Sequence, residues 1–246
     1  MRTKKILTYA VFAVIIIIFT YQIVSLGMIF YHNSSEANND DIQSLAPNEE
    51  GIVIRNGLPD SGQTTFSCNV DWGEEVIPDM LKIFDENQVK ITFFVSGKWA
   101  ENHPELLREI YAAGHEIQSH GYSHKLCSQN SVETMREEIL KTEKTILDIL
   151  GVKTNVFAPP SGNYDEATVE LCRSLGYKLA LWNVDTIDWR EGSTAEVIKN
   201  RVLKKDLNGA IVLMHPKEET VKALPGLISE IKGKDLLIVP LYRLPY

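Results

Sequence analysis

His120 and His124 stand four residues apart in Ser-His-Gly-Tyr-Ser-His, and a third histidine, His215, closes the run Ile-Val-Leu-Met-His-Pro. Two imidazoles at that spacing place their nitrogens on one metal ion if the turn between them folds the rings together. The third ends an apolar, strand-like stretch, where a parallel α/β sheet aims side chains into a site. Three of the six histidines therefore fall where chemistry is done. The pattern points to a hydrolytic metal site rather than a pure binding module.

The elements that position these residues begin at Gly51. Short apolar runs read as strands at Thr64–Asn69, Ile91–Ser96, Glu116–Ser119, Asn155–Ala158, Lys178–Asn183, Ala210–Met214 and Leu236–Val239. Between them, apolar residues recur at helical spacing over Glu74–Glu86, His103–Ala113, Asn130–Leu150, Asp165–Leu175, Thr194–Lys205 and Glu218–Ile231. Asn130 and Glu133 are spaced for a capping box on the longest helix, and Gly151 is its stop. This β-α alternation implies an α/β fold with about seven parallel strands and a site at their carboxyl ends. The pattern leaves open whether the sheet closes as an incomplete barrel or stays flat, and it shows neither a repeat nor a second domain.

The first 31 residues are set apart from that fold. Arg2, Lys4 and Lys5 precede an uncharged apolar run from Ile6 to Tyr31, and some 20 such residues span a bilayer. No small-residue cleavage site is visible, so the expectation is one retained transmembrane helix with its basic end in the cytoplasm. Residues 32–50 are rich in Asn, Ser, Asp and Glu and read as a flexible tether of roughly 25 Å root-mean-square span. Residues 51–246 are then an extracytoplasmic domain on a single-pass membrane protein. Beyond the apolar run lie all 33 acidic residues against 22 of the 25 basic ones, a balance of −11. That balance argues against nucleic acid or anionic lipid as partner and leaves neutral substrates open. Three cysteines without ligand spacing, Cys68, Cys127 and Cys172, make neither a disulfide framework nor a zinc cluster.

Polar clusters follow five of the expected strands: Asn69 to Gly73, His120 to His124, Ala158 to Gly162, Asp185 to Trp189, and His215. With Phe93-Phe94-Val95 and Gly114-His115-Glu116-Ile117, they resemble the polysaccharide deacetylases of carbohydrate esterase family 4, the NodB-homology domain. The resemblance runs from about Ile52 to Tyr246. It implies a distorted (β/α) barrel and removal of N-acetyl groups from amino-sugar polymers by a metal-activated water.

By that resemblance His120 and His124 are metal-binding histidines and Asp71 the metal-binding aspartate. Two histidines, one carboxylate and open positions suit catalytic zinc, with cobalt or nickel as substitutes. His215 resembles the general acid that protonates the leaving amine. Asp188 resembles its carboxylate partner, a neighbour that favours the charged imidazole. Trp189 and Leu213 resemble walls of the substrate pocket, to which Pro160, Ser161 and Gly162 add a loop. Trp182 has a weaker claim to the pocket, and Asp185 serves equally well to orient a loop.

Two departures matter. The usual first motif is Thr-Phe-Asp-Asp-Gly, with its leading Asp as general base, and Asn69 takes that position here. Ala158 stands where the family has an Arg that pairs with the base. An Arg left without its carboxylate is a costly buried cation, so the two changes go together. Gly121 also replaces a Ser or Thr. The sequence therefore supports a metal-dependent deacetylase of glycans such as peptidoglycan. Its alternatives are a glycan-binding pseudoenzyme or a related hydrolase of non-peptide C–N bonds.

Overall fold

A computed structural model of the chain describes residues 49–246. The expected membrane helix within residues 1–31 lies outside the described residues, as does nearly all of the 32–50 tether. Glu49 and Glu50 are the exceptions, and Glu49 is tied to the domain. Its carboxylate accepts from Arg55 at 2.8 Å and from the Tyr164 hydroxyl at 2.9 Å, and its carbonyl accepts from the Ile52 amide at 3.0 Å.

Nine strands occur among the described residues, rather than about seven: β1 Val53–Ile54, β2 Gln63–Val70, β3 Thr92–Val95, β4 Glu116–Ser119, β5 Val156–Phe157, β6 Lys178–Ala180, β7 Val184–Asp185, β8 Ile211–Met214 and β9 Leu237–Ile238. The two unexpected ones, β1 and β7, are two residues long, too short for an alternating pattern to register. Every pairing is parallel, in the order β1-β6-β5-β4-β3-β2-β8-β7, with β9 on the start of β2. No pairing joins β1 to β7 among the described residues. The sheet is thus a curled (β/α) barrel that does not close.

Seven α-helices among the described residues surround it: α1 Ile77–Glu86, α2 Gly97–Asn102, α3 Pro104–Ala112, α4 Val132–Leu150, α5 Glu166–Leu175, α6 Ala195–Leu203 and α7 Glu218–Lys232. The start of α4 differs from expectation. Ser131, not Asn130, is its cap and accepts from the Thr134 amide at 3.2 Å, while Asn130 turns back to the Leu126 carbonyl. Gly151 ends the helix in the left-handed region as expected, and the reciprocal capping box sits instead at Asp165 and Thr168 of α5.

Strand pleating sorts the core. Phe66, Cys68 and Val70 of β2, Phe93 and Val95 of β3, and Val212 and Met214 of β8 pack with Phe84, Leu224 and Ile228 from the helices. Alternate residues, Phe94 and Ile211, join Ile54, Val156, Ala158 and Ala180 in a second cluster, a sorting set by the period of two. All three cysteines are buried and free. The register brings strand ends level: Val70 pairs with Val95, Val95 with Ser119, and Ser119 with Phe157. The next residues along each strand therefore emerge on one rim.

Candidate active site

That rim carries a cavity of about 520 Å³. Asn69, Asp71, His120, His124, Ser161, Trp189, Leu213 and His215 all line it, as do Trp182, Asp185 and Trp72. Of the expected site residues, Asp188, Pro160 and Gly162 are not in its wall. Asp188 sits behind His215, and Pro160 is buried. Gly162 lies so near Trp182 that a Cβ there would approach the ring to 2.8 Å. Its role is to let the indole reach the cavity.

His215 leaves β8 directly after Met214, which pairs with Cys68. Its ring Nδ1 lies 2.7 Å from Asp188 Oδ1, and its backbone N–H donates to Asp188 Oδ2 at 2.7 Å. The Thr220 hydroxyl donates to the same Oδ2 at 2.8 Å. Burial pushes the Asp188 carboxyl up, but these donors outweigh it and hold it below its ordinary value. The imidazole is thus fixed by the nitrogen turned away from the cavity, leaving Nε2 for a reacting group. The Trp72 ring stacks beside it at 6.0 Å between centroids, with Lys217 5.4 Å from the indole centre. Trp72 is a wall that motif reasoning missed. Its position one residue after Asp71 was the available signal.

His120 is 2 % exposed. Its Nδ1 lies 2.8 Å from the Ala158 carbonyl, an acceptor, so the ring donates there and keeps its Nε2 lone pair. Burial, aided by neighbouring His124, pushes its pKa down to about 3, so the ring is neutral at physiological pH. The His124 ring stands 5.2 Å away, centroid to centroid, edge to face. The turn between them requires left-handed backbone at Gly121 (φ 76°) and at His124 itself (φ 57°). A glycine suits the first position without strain.

These features fit the histidine pair to a divalent metal: a neutral His120 ring, its tautomer fixed by an outer carbonyl, and a cavity shared with His124. The set is incomplete as it stands. Asp71 is exposed in the same cavity, and no three His, Cys, Asp or Glu side chains among the described residues come together closely enough to hold a metal.

Asn69 is 4 % exposed, and its Oδ1 accepts no hydrogen bond among the described residues. Ala158, also buried, contributes its carbonyl to His120 and no side-chain charge. Asp185 closes an Asx turn by accepting from the Ile187 amide at 2.7 Å, and burial raises its carboxyl above the ordinary range. It therefore both orients its loop and faces the cavity.

The family model for polysaccharide deacetylase matches residues 60–180. The chain is 39% identical to the YlxY protein of Bacillus subtilis over 193 residues, covering 78% of this chain and 59% of that protein. It is 31% identical over 172 residues to a peptidoglycan-N-acetylglucosamine deacetylase of Bacillus cereus, covering 68% and 62% respectively. The chain thus spans about three fifths of the length of these two relatives. Among solved structures, a CE4 family pseudoenzyme from Bacillus anthracis superposes with a TM-score of 0.76 at 32% identity, over 81% of this chain and 69% of that one. Motif order, curled parallel sheet and these similarities agree: the chain belongs to the polysaccharide deacetylases of carbohydrate esterase family 4.

Proposed function

We propose that the chain is a metal-dependent N-deacetylase acting on N-acetylated amino-sugar polymers, with peptidoglycan as the first candidate. The observation that carries this reading is the convergence of the His215–Asp188 pair and the His120–His124 pair on one cavity walled by Trp72, Trp189 and Leu213. His120 and His124, with Asp71 brought in as third ligand, would hold a divalent metal, which would supply Lewis acidity toward the acetyl carbonyl and its attacking water. Zinc suits that donor set, and cobalt or nickel can substitute. Leu213 receives the acetyl methyl, and the Trp189 face receives the sugar. His215 protonates the leaving amine from Nε2 while Asp188 keeps the ring oriented. A relative named as a peptidoglycan deacetylase supports the substrate class. An apolar segment ahead of residue 32 supports anchoring beside the cell wall.

A second reading rests on Asn69. An amide cannot take a proton near neutral pH, no third donor stands with the histidine pair, and a structural relative is a pseudoenzyme. On that reading the cavity binds N-acetylated glycan without cleaving it.

The deciding experiment loads the purified chain with zinc or cobalt and follows acetate release from N-acetylglucosamine oligomers and cell-wall fragments, with His215→Ala alongside. Acetate from the parent but not the variant supports the enzyme. Silence with retained glycan binding supports the second reading.

A further inference from the structure

Glu138 lies on the inner face of α4, outside every motif, and is 5 % exposed. A carboxylate that deep needs partners. It finds them in the loop between the two site histidines: the Ser123 backbone N–H donates to Oε2 and the Ser123 hydroxyl to Oε1, each at 2.6 Å. Lys125, just past His124, adds an ion pair at 3.5 Å. The same loop is tied from the other side, since the Gly97 and Lys98 amides donate to the Gly121 and Tyr122 carbonyls at 2.9 Å. Ser123 is therefore gripped one residue before His124, whose left-handed backbone is a conformation that a non-glycine residue holds only when its surroundings impose it.

We propose that Glu138 is a positioning residue for the histidine pair: its two bonds to Ser123 hold His124 turned toward His120, in the arrangement that binds metal. This rests on the reading that His120 and His124 hold a divalent metal. The role is geometric. A glutamine would serve it, because an amide oxygen accepts from the Ser123 N–H while the amide N–H₂ donates to the hydroxyl. The Lys125 pair is half exposed on the lysine side and contributes little.

The test measures zinc affinity of the full-length chain by competition with a chromophoric chelator, beside the melting curve of the metal-free protein. Glu138→Met fills the same volume without an acceptor and is expected to weaken zinc binding by on the order of tenfold or more. Glu138→Gln is expected to stay within about threefold of the parent. Equal affinity of parent and a cooperatively melting Glu138→Met overturns the proposal, and so does a Glu138→Gln as weak as Glu138→Met. If Glu138→Met does not fold, Ser123→Ala decides. Ser123 is exposed and the variant keeps the backbone N–H bond to Glu138, and a loss of about threefold is expected where no loss overturns the inference. Absence of zinc binding by the parent itself would remove the metal reading, and this inference with it.

Discussion

Asp188 grips His215 twice, through the ring Nδ1 at 2.7 Å and through the backbone N–H at 2.7 Å. One carboxylate therefore sets both the loop position and the ring tautomer of the expected acid. In Asp188→Asn the side chain cannot accept from all three donors, and the ring loses its anchor. Turnover should fall by about 10²–10⁴-fold with KM nearly unchanged, as read from initial rates of acetate release. Stability follows pH with a definite sign. The folded carboxyl titrates below its unfolded value of about 4. Its contribution is therefore complete above that pH and is lost as pH falls through the folded value. The acid limb of a melting-temperature profile should be flatter in the variant.

Asn69→Asp places a carboxylate at the position proposed for the base. The buried pocket raises its pKa toward neutrality, and turnover should rise by up to about 10²–10⁴-fold. The same burial without an Arg at 158 should lower the melting temperature. If turnover does not move, Asn69 does not stand at the base position, and Asp71 becomes the carboxylate to test.

Trp189 is 52 % exposed, with Arg190 5.3 Å from its ring centre. Truncation to alanine removes little buried area, so the melting temperature should hold. KM for glycan oligomers should rise by roughly tenfold, since stacking aromatics contribute on the order of 1–2 kcal/mol. An unchanged KM would take Trp189 out of the sugar site.

Gly73 joins two parts of the cavity wall. At φ 85° a Cβ would lie 2.3 Å from the Pro216 carbonyl oxygen, immediately after His215. Gly73→Ala should cost about 1–3 kcal/mol in left-handed strain alone, and the clash pushes the Asp71 and His215 loops apart. Urea unfolding and kcat should both register the change. A variant as stable and as active as the parent would show that these loops move independently.

His115 lies outside the site, buried between Phe84 and Phe93, and its Nδ1 accepts from the Ile91 amide at 3.1 Å. Burial, with Lys90 nearby, pushes its pKa down to about 4. The unfolded chain takes up this proton first, so stability is full above about pH 6.5 and is lost as pH falls from there toward 4. A shift of that size is worth roughly 3 kcal/mol. His115→Asn keeps an acceptor for Ile91 without titrating. Its urea midpoint should be lower at pH 7 because of the lost packing, yet decline less between pH 6.5 and 4.5. An equal decline would place the titrating group elsewhere.

Residue type and spacing determined a good deal. Asp71, His120 and His215 each directly follow a strand, with Asp188 and His124 a few residues further on, and parallel strands deliver such residues to a common rim. The helix end at Gly151 was legible because a left-handed stop is a local property. Tertiary structure decided the rest. The short strands β1 and β7 form only because neighbours on the curled sheet supply their partners. The cap of α4 falls on Ser131 because the Asn130 amide is drawn back to Leu126. Trp72 became a wall of the site, and Glu138 the clamp on Ser123, because separate elements of the chain fold against each other. That pairing, 15 residues apart across a loop and a helix, satisfies a buried charge, and no periodicity encodes it.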